Sequence, residues 1–229
     1  MEKTESQTAA KGSGSIFASF LNRIGGVFLA PDAAFNQIIS SRIGFWEPLI
    51  LILLLVGIEG AVLASFAVRV LSAIMNSLGS VASSTPLGFL TFLPTMMIIM
   101  MITSFLILWI IVAGIAHLIA RFVFGGRGSF VQLLKLYGYS FAPYSLTILG
   151  TVFVEISWIT WPLAIFLSIV ANFWIVVLMT SAVKHNYGID TGKAFISSFI
   201  GPMLVWLIIV GIFWLWILLF ISSFAGGAI

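Results

Sequence analysis

Long apolar runs, separated by short polar or glycine-rich stretches, dominate the chain from residue 48 onward. Crossing a hydrocarbon core of roughly 30 Å takes about 20 such residues in a helix. By that measure five spans are predicted, over 48–75, 92–121, 136–158, 161–183 and 194–224. Several exceed the minimum, so tilt or extension beyond the lipid is expected. Upstream, Ile16, Phe17, Phe20, Leu21, Ile24, Val27 and Phe28 recur at helical spacing, with Ser19, Asn22 and Arg23 between them. That pattern predicts an amphipathic helix, either lying in the headgroup plane or docked on the bundle. Pro31 and Asp32 then start a second short helix, with Phe35, Ile38 and Ile39 on its apolar side. Residues 1–15 are polar and lack an apolar run, which predicts a disordered tail and no cleaved signal. The expected fold class is thus an all-α, polytopic membrane bundle: a tail over 1–15, an interfacial helical hairpin over 16–47, and five transmembrane helices within 48–229.

Composition agrees with this division. The chain is 61% hydrophobic and 7% charged, against roughly 25% charged in soluble domains. Cysteine is absent, which excludes disulfides, thiolate nucleophiles and cysteine metal sites. The net charge of +3 is small, and its placement says more. The stretch 76–90 carries no charge, and neither the turn at Thr160 nor the residues after 224 contain Lys or Arg. Arg23, Arg42, Arg121, Arg127, Lys135, Lys184 and Lys193 all fall on the other side of the predicted spans. The positive-inside rule then places the N-terminus in the cytoplasm and the C-terminus outside.

Few residues inside the spans carry chemistry. Glu59 lies eleven residues past Pro48, about 16 Å along a helix and near mid-membrane. Ser104 and Asn172 are predicted at similar depth, as its partners in either a polar staple or an ion relay. Arg69 and Glu155 are expected to form an outer salt bridge, and His117 to reach Tyr139 or Ser140. A serine hydrolase built on Ser140 and His117 is disfavoured, because Phe141 and Ala142 follow where a nucleophile elbow needs a second glycine. The run Gly125, Gly126, Arg127, Gly128 lacks phosphate-loop spacing. With Arg121, Lys135 and Phe130 it is read as either a contact for anionic headgroups or an ordinary basic loop. Met96, Met97, Met100 and Met101 are read as adaptable packing rather than a soft-metal site. Trp206, Trp214 and Trp216 are apolar bulk, a lipid or dimer face, and Gly201-Pro202 is expected to bend the last span. No catalytic centre, cofactor, metal or nucleic-acid partner is expected.

Several motifs in order then carry a resemblance. Pro31, Asp32 and Phe35 come first, and Gly44 through Pro48 precede the first span. Phe124 through Phe130 include Gly125, Gly126 and Gly128, and Gly138, Tyr139, Ser140 and Pro143 follow. In this order the chain resembles the Yip domain family, five-span membrane proteins named in eukaryotes for interaction with Ypt/Rab GTPases. The longer polar domain and fuller motif of eukaryotic members are absent, so the resemblance implies a prokaryotic relative in a plasma membrane. It implies a membrane-organising adaptor, of trafficking or membrane-shaping type, that binds lipid and a membrane or cytoplasmic protein, with self-association left open. The rival reading is a small transporter or channel around Glu59 and Asn172.

Overall fold

The computed structural model describes residues 17–41, 43–78 and 87–225, and every regular element among them is helical. The tail over 1–15, Arg42 and much of the uncharged 76–90 connection lie outside the described residues. Helix α1 is Phe17–Leu29 and α2 is Pro31–Ser40, with Pro31 in its first turn and Asp32 following it. Proline costs nothing there, because the first helical N–H groups have no partner inside the helix. Four further helical stretches are long and apolar enough to cross a membrane: Trp46–Ser77, Phe92–Val123, Trp158–Tyr187 and Thr191–Ile217. The first lies in α3 (Trp46–Leu78) and the second in α4 (Leu87–Leu118), which continues as a π turn over Ile119–Val123. The third is α7 (Trp161–Tyr187), entered through a 3-10 turn at Trp158–Thr160. The fourth comprises α8 (Thr191–Phe195), a π turn at Ile196–Ile200, and the beginning of α9 (Gly201–Ala225).

The stretch expected to span 136–158 is divided. Helix α5 covers Phe130–Ser140 and α6 covers Tyr144–Ile156. Between them Phe141, Ala142 and Tyr144 each donate a backbone N–H to the carbonyl three residues earlier. Pro143 has no N–H to give, so the chain tightens into a turn there instead of extending the α-helical ladder. Each piece alone is shorter than a crossing helix requires.

Helix α3 and the α5–α6 rod nevertheless run parallel and in register. Lys135 Nζ donates to the Ile43 carbonyl, Tyr139 Oη to Glu47, and Thr151 Oγ1 to Glu59, and all three pairs are 92 residues apart. A constant separation over sixteen residues of α3 and its lead-in means the two strands of chain advance together in the same direction.

The core is concentrated at one end of the bundle, where Arg23, Glu47, Lys135 and Lys184 lie; we call it the basic end. Phe35, Ile38, Ile52, Leu133, Leu136, Tyr137, Tyr139, Leu178 and Val183 are all essentially inaccessible there. Helix α2 docks on α7 through Ser181, whose hydroxyl donates to Asp32 Oδ1 at 2.7 Å. Gly188, at φ 65°, ends α7 in the left-handed conformation that glycine adopts freely. Asp190 then caps α8, accepting the Lys193 backbone N–H at 3.1 Å. Gly201-Pro202, where a bend is expected, directly follows a π turn over Ile196–Ile200. Gly201 packs directly on Ile119, leaving no room for a Cβ, so the two π segments meet at this point.

Candidate functional site

The motif residues converge at the basic end in two packed contacts. In the first, the loop after α4 folds back across the end of α7. Gly126 N–H donates to the Ala120 carbonyl at 2.9 Å, Arg127 N–H to the Tyr187 carbonyl at 3.3 Å, and Asn186 Nδ2 to the Ser129 carbonyl at 2.9 Å. The Tyr187 side chain covers the loop so closely that a Cβ on Gly126 would stand 2.7 Å from its Cβ. On Gly128, a Cβ would stand 2.6 Å from the Asn186 carbonyl oxygen. Any side chain at either position has to move backbone. His117 hydrogen-bonds the Tyr187 hydroxyl through Nδ1 and meets Phe130 edge to face at 5.6 Å. Its partner is therefore Tyr187, not Tyr139 or Ser140, because the glycine loop brings the end of α7 against α4.

In the second contact, Gly138 of α5 faces the start of α3, and a Cβ there would lie 2.5 Å from Pro48 Cβ. The next residue, Tyr139, is fully buried and gives its hydroxyl hydrogen to Glu47 Oε2 at 2.6 Å. Arg23 Nη2 approaches the same oxygen at 2.6 Å. One carboxylate thus joins α1, α3 and α5, and it sits in the first turn of α3, where the helix dipole favours negative charge. Ser140 is buried and donates to the Leu136 carbonyl at 2.9 Å, far from the role of a nucleophile. Pro143 is buried beside it. Lys135, expected to face headgroups, spends its ammonium on the Ile43 carbonyl at 2.8 Å. Arg121 and Arg127, beside the glycine loop, are exposed.

The mid-bundle polar group is assembled differently from the sequence expectation. Glu59 is buried, and its Oε1 accepts from Thr151 Oγ1 at 3.0 Å, while Oε2 has no partner among the described residues. Ser104 and Asn172 are both exposed and bond within their own helices, to the Met100 and Ser168 carbonyls. Similar depth was not enough: neither side chain reaches Glu59, and each is satisfied by its own helix instead. Thr151 and Asn172 do share the lining of a cavity of about 580 Å³ bounded by α3, α6 and α7, together with Glu155 and Ser168. Arg69 and Glu155 form an ion pair at the far end of the bundle. Met101 packs against the core, whereas Met96 and Met100 are exposed, as are Trp206, Trp214 and Trp216. Among the described residues no acidic or histidine group has the geometry to hold a metal ion.

A known family accounts for most of this chain: the model of the Yip1 domain matches residues 25–214. The chain belongs to the Yip1 family. The match takes in α3 through α8, both glycine contacts and most of α9. Comparison with curated proteins and with solved structures gave no match. The Yip1 membership and the long apolar helices together make this an integral membrane protein.

Sequence reasoning overlooked three partners at these contacts: Tyr187, Thr151 and the Arg23–Glu47–Tyr139 junction. The repeated offset of 92 residues is present in the sequence, but it becomes legible only once one pair is known.

Proposed function

We propose that this Yip1 protein is a non-catalytic membrane organiser that crosses the bilayer five times and offers a rigid cytoplasmic face to lipid and to a partner protein. The α5–α6 rod serves as the third crossing, a broken one, and its parallel register with α3 supports this, since first and third crossings run in the same direction. The N-terminus is then cytoplasmic and the C-terminus outside, and α1 and α2 lie at the cytoplasmic interface as a hairpin. A plasma membrane of prokaryotic type is the setting.

One observation carries the reading. The family motif is spent on internal contacts, with Gly126 and Gly128 under Tyr187, Gly138 on Pro48, and Tyr139 on Glu47. Arg121 and Arg127 remain exposed beside that locked frame. A fixed pair of guanidinium groups at the membrane surface suits anionic headgroups, each cation contributing about 1 kcal/mol there. The test is to count phosphatidylglycerol bound to the purified full chain by native mass spectrometry. An Arg121→Ala, Arg127→Ala double variant should lose most of the bound anionic lipid with its helix content unchanged. Equal retention by both proteins removes the lipid part of the proposal. Cross-linking in native membranes, read for a protein partner and for a second copy of the chain, addresses the rest.

A second reading rests on Glu59. A buried carboxyl with one oxygen unpartnered among the described residues, hydrogen-bonded to a residue that lines a cavity of about 580 Å³, is the arrangement from which a transport path could be built. Flux through proteoliposomes that is abolished by Glu59→Gln favours this reading; absence of flux in the unaltered protein rejects it.

A further inference from the structure

A second cavity, of about 510 Å³, lies between α2, α7 and α8, within the roughly 300–1,000 Å³ typical of small-molecule sites. Its walls change character along α7. Phe173, Val176 and Val177, with Phe195 of the following element, line the apolar part, and Asp32, Ser181 and Lys184 the polar part. From Phe173 to Lys184 is eleven residues, about 16 Å of helix rise and half the roughly 30 Å of a hydrocarbon core. The groove therefore has the depth of one leaflet, with its two charges at headgroup level.

Those charges are of opposite sign and only partly used. The Ser181 hydroxyl and His185 Nε2 both approach Asp32 Oδ1, at 2.7 and 3.5 Å, and Oδ2 takes no donor among the described residues. Lys184 forms no ion pair among the described residues, whereas Lys193 nearby is matched by Asp190 at 3.4 Å. We infer that this groove holds one phospholipid with a primary-amine headgroup, its phosphate on Lys184, its ammonium on Asp32 Oδ2, and one acyl chain along Phe173, Val176 and Val177. A primary ammonium donates N–H bonds to the carboxylate, which a choline cannot do. A glycerol headgroup can offer Asp32 neutral hydroxyl donors but no positive charge, so the carboxylate goes without an ionic partner. Neither Arg121 nor Arg127 lines this groove, so it can be tested separately from the anionic contact proposed above.

The test uses the full chain in detergent, titrated with phosphatidylethanolamine, phosphatidylcholine and phosphatidylglycerol of identical acyl chains and read by native mass spectrometry. Phosphatidylethanolamine should bind about tenfold more tightly than phosphatidylcholine, the worth of one charge-assisted hydrogen bond. Lys184→Ala should reduce phosphatidylethanolamine binding by a similar factor, and Asp32→Asn should erase the preference over choline. Because Asp32 also anchors α2, Val177→Trp provides a variant that fills the groove without touching that anchor; it should lower occupancy by every lipid that enters. Equal binding of the ethanolamine and choline lipids, or wild-type ethanolamine binding in Lys184→Ala and Val177→Trp, overturns the inference. So does a preference for phosphatidylglycerol that Val177→Trp abolishes. Loss of phosphatidylglycerol in the Arg121→Ala, Arg127→Ala variant, with ethanolamine binding intact, bears on the other site alone.

Discussion

Helix α7 is most thoroughly buried around two hydroxylated residues, Thr180 and Ser181, whereas the more apolar α9 is exposed along most of its described length. Leu178, Met179, Thr180, Ser181, Ala182 and Val183 are consecutive on α7 and all buried, with Thr180 hydrogen-bonded to Ser198 and Ser181 to Asp32. On α9, Trp206, Trp214 and Trp216 are each about 60% exposed, and Gly201 is the buried residue among those whose side chains are described. In water this would be an inverted protein. In lipid it is the expected order, because hydrocarbon is as apolar as Leu or Trp and gives no reason to bury them. Small and hydroxylated residues, in contrast, let helices approach and satisfy one another.

The contrast predicts where substitutions will matter. Gly128→Val should be the most damaging, because its side chain meets the Asn186 carbonyl and the Tyr187 ring; about 3 kcal/mol of stability, measured by unfolding in mixed micelles, is the expected loss. Thr151→Val removes the hydroxyl that donates to buried Glu59 and should cost about 2 kcal/mol in the same assay. Tyr139→Phe leaves Glu47 its contact with Arg23 and some access to solvent, so about 1 kcal/mol is expected. Trp214→Leu, on the lipid-facing helix, should stay within about 0.5 kcal/mol of the unaltered protein; a larger loss would mean that α9 is packed against something.

The smallest effect should be at Asp190. Its carboxyl is held below the usual range, first by the Lys193 backbone N–H and in part by that residue's ammonium. A depressed carboxyl contributes stability above its unfolded pKa of about 4, and the contribution is lost as pH falls through the lower folded value. Hydrogen-exchange protection factors at the start of α8, corrected for the intrinsic slowing of exchange in acid, should therefore fall on acidification below about pH 4, and Asp190→Asn should flatten that dependence.

Much of the fold was legible because membrane crossing imposes a length. The predicted spans at 48–75, 92–121, 161–183 and 194–224 fall within observed helical stretches, and Pro31 and Asp32 open α2 as expected. The division at residues 141–143 was harder to read, because Pro143 signals a break without saying how the chain turns. Site partners were the least legible. Depth along a helix follows from counting, which placed Ser104 and Asn172 near Glu59. Rotation about the axis depends on neighbours; it left both bonded within their own helices and brought Thr151 to Glu59. Gly126, Gly128 and Gly138 could be recognised as a motif, yet the atoms they make room for, on Tyr187, Asn186 and Pro48, lie tens of residues away.

The central claim is that the family motif exists to let helices touch at the basic end, and the Gly138–Pro48 contact tests it most directly. Stability should be measured for Gly138→Ala, Pro48→Gly and the two combined. The account predicts that Gly138→Ala is destabilising and that Pro48→Gly, by removing the atom 2.5 Å away, restores part of the loss, with a coupling of about 1 kcal/mol or more. An unaffected Gly138→Ala protein, or strictly additive effects, would contradict it.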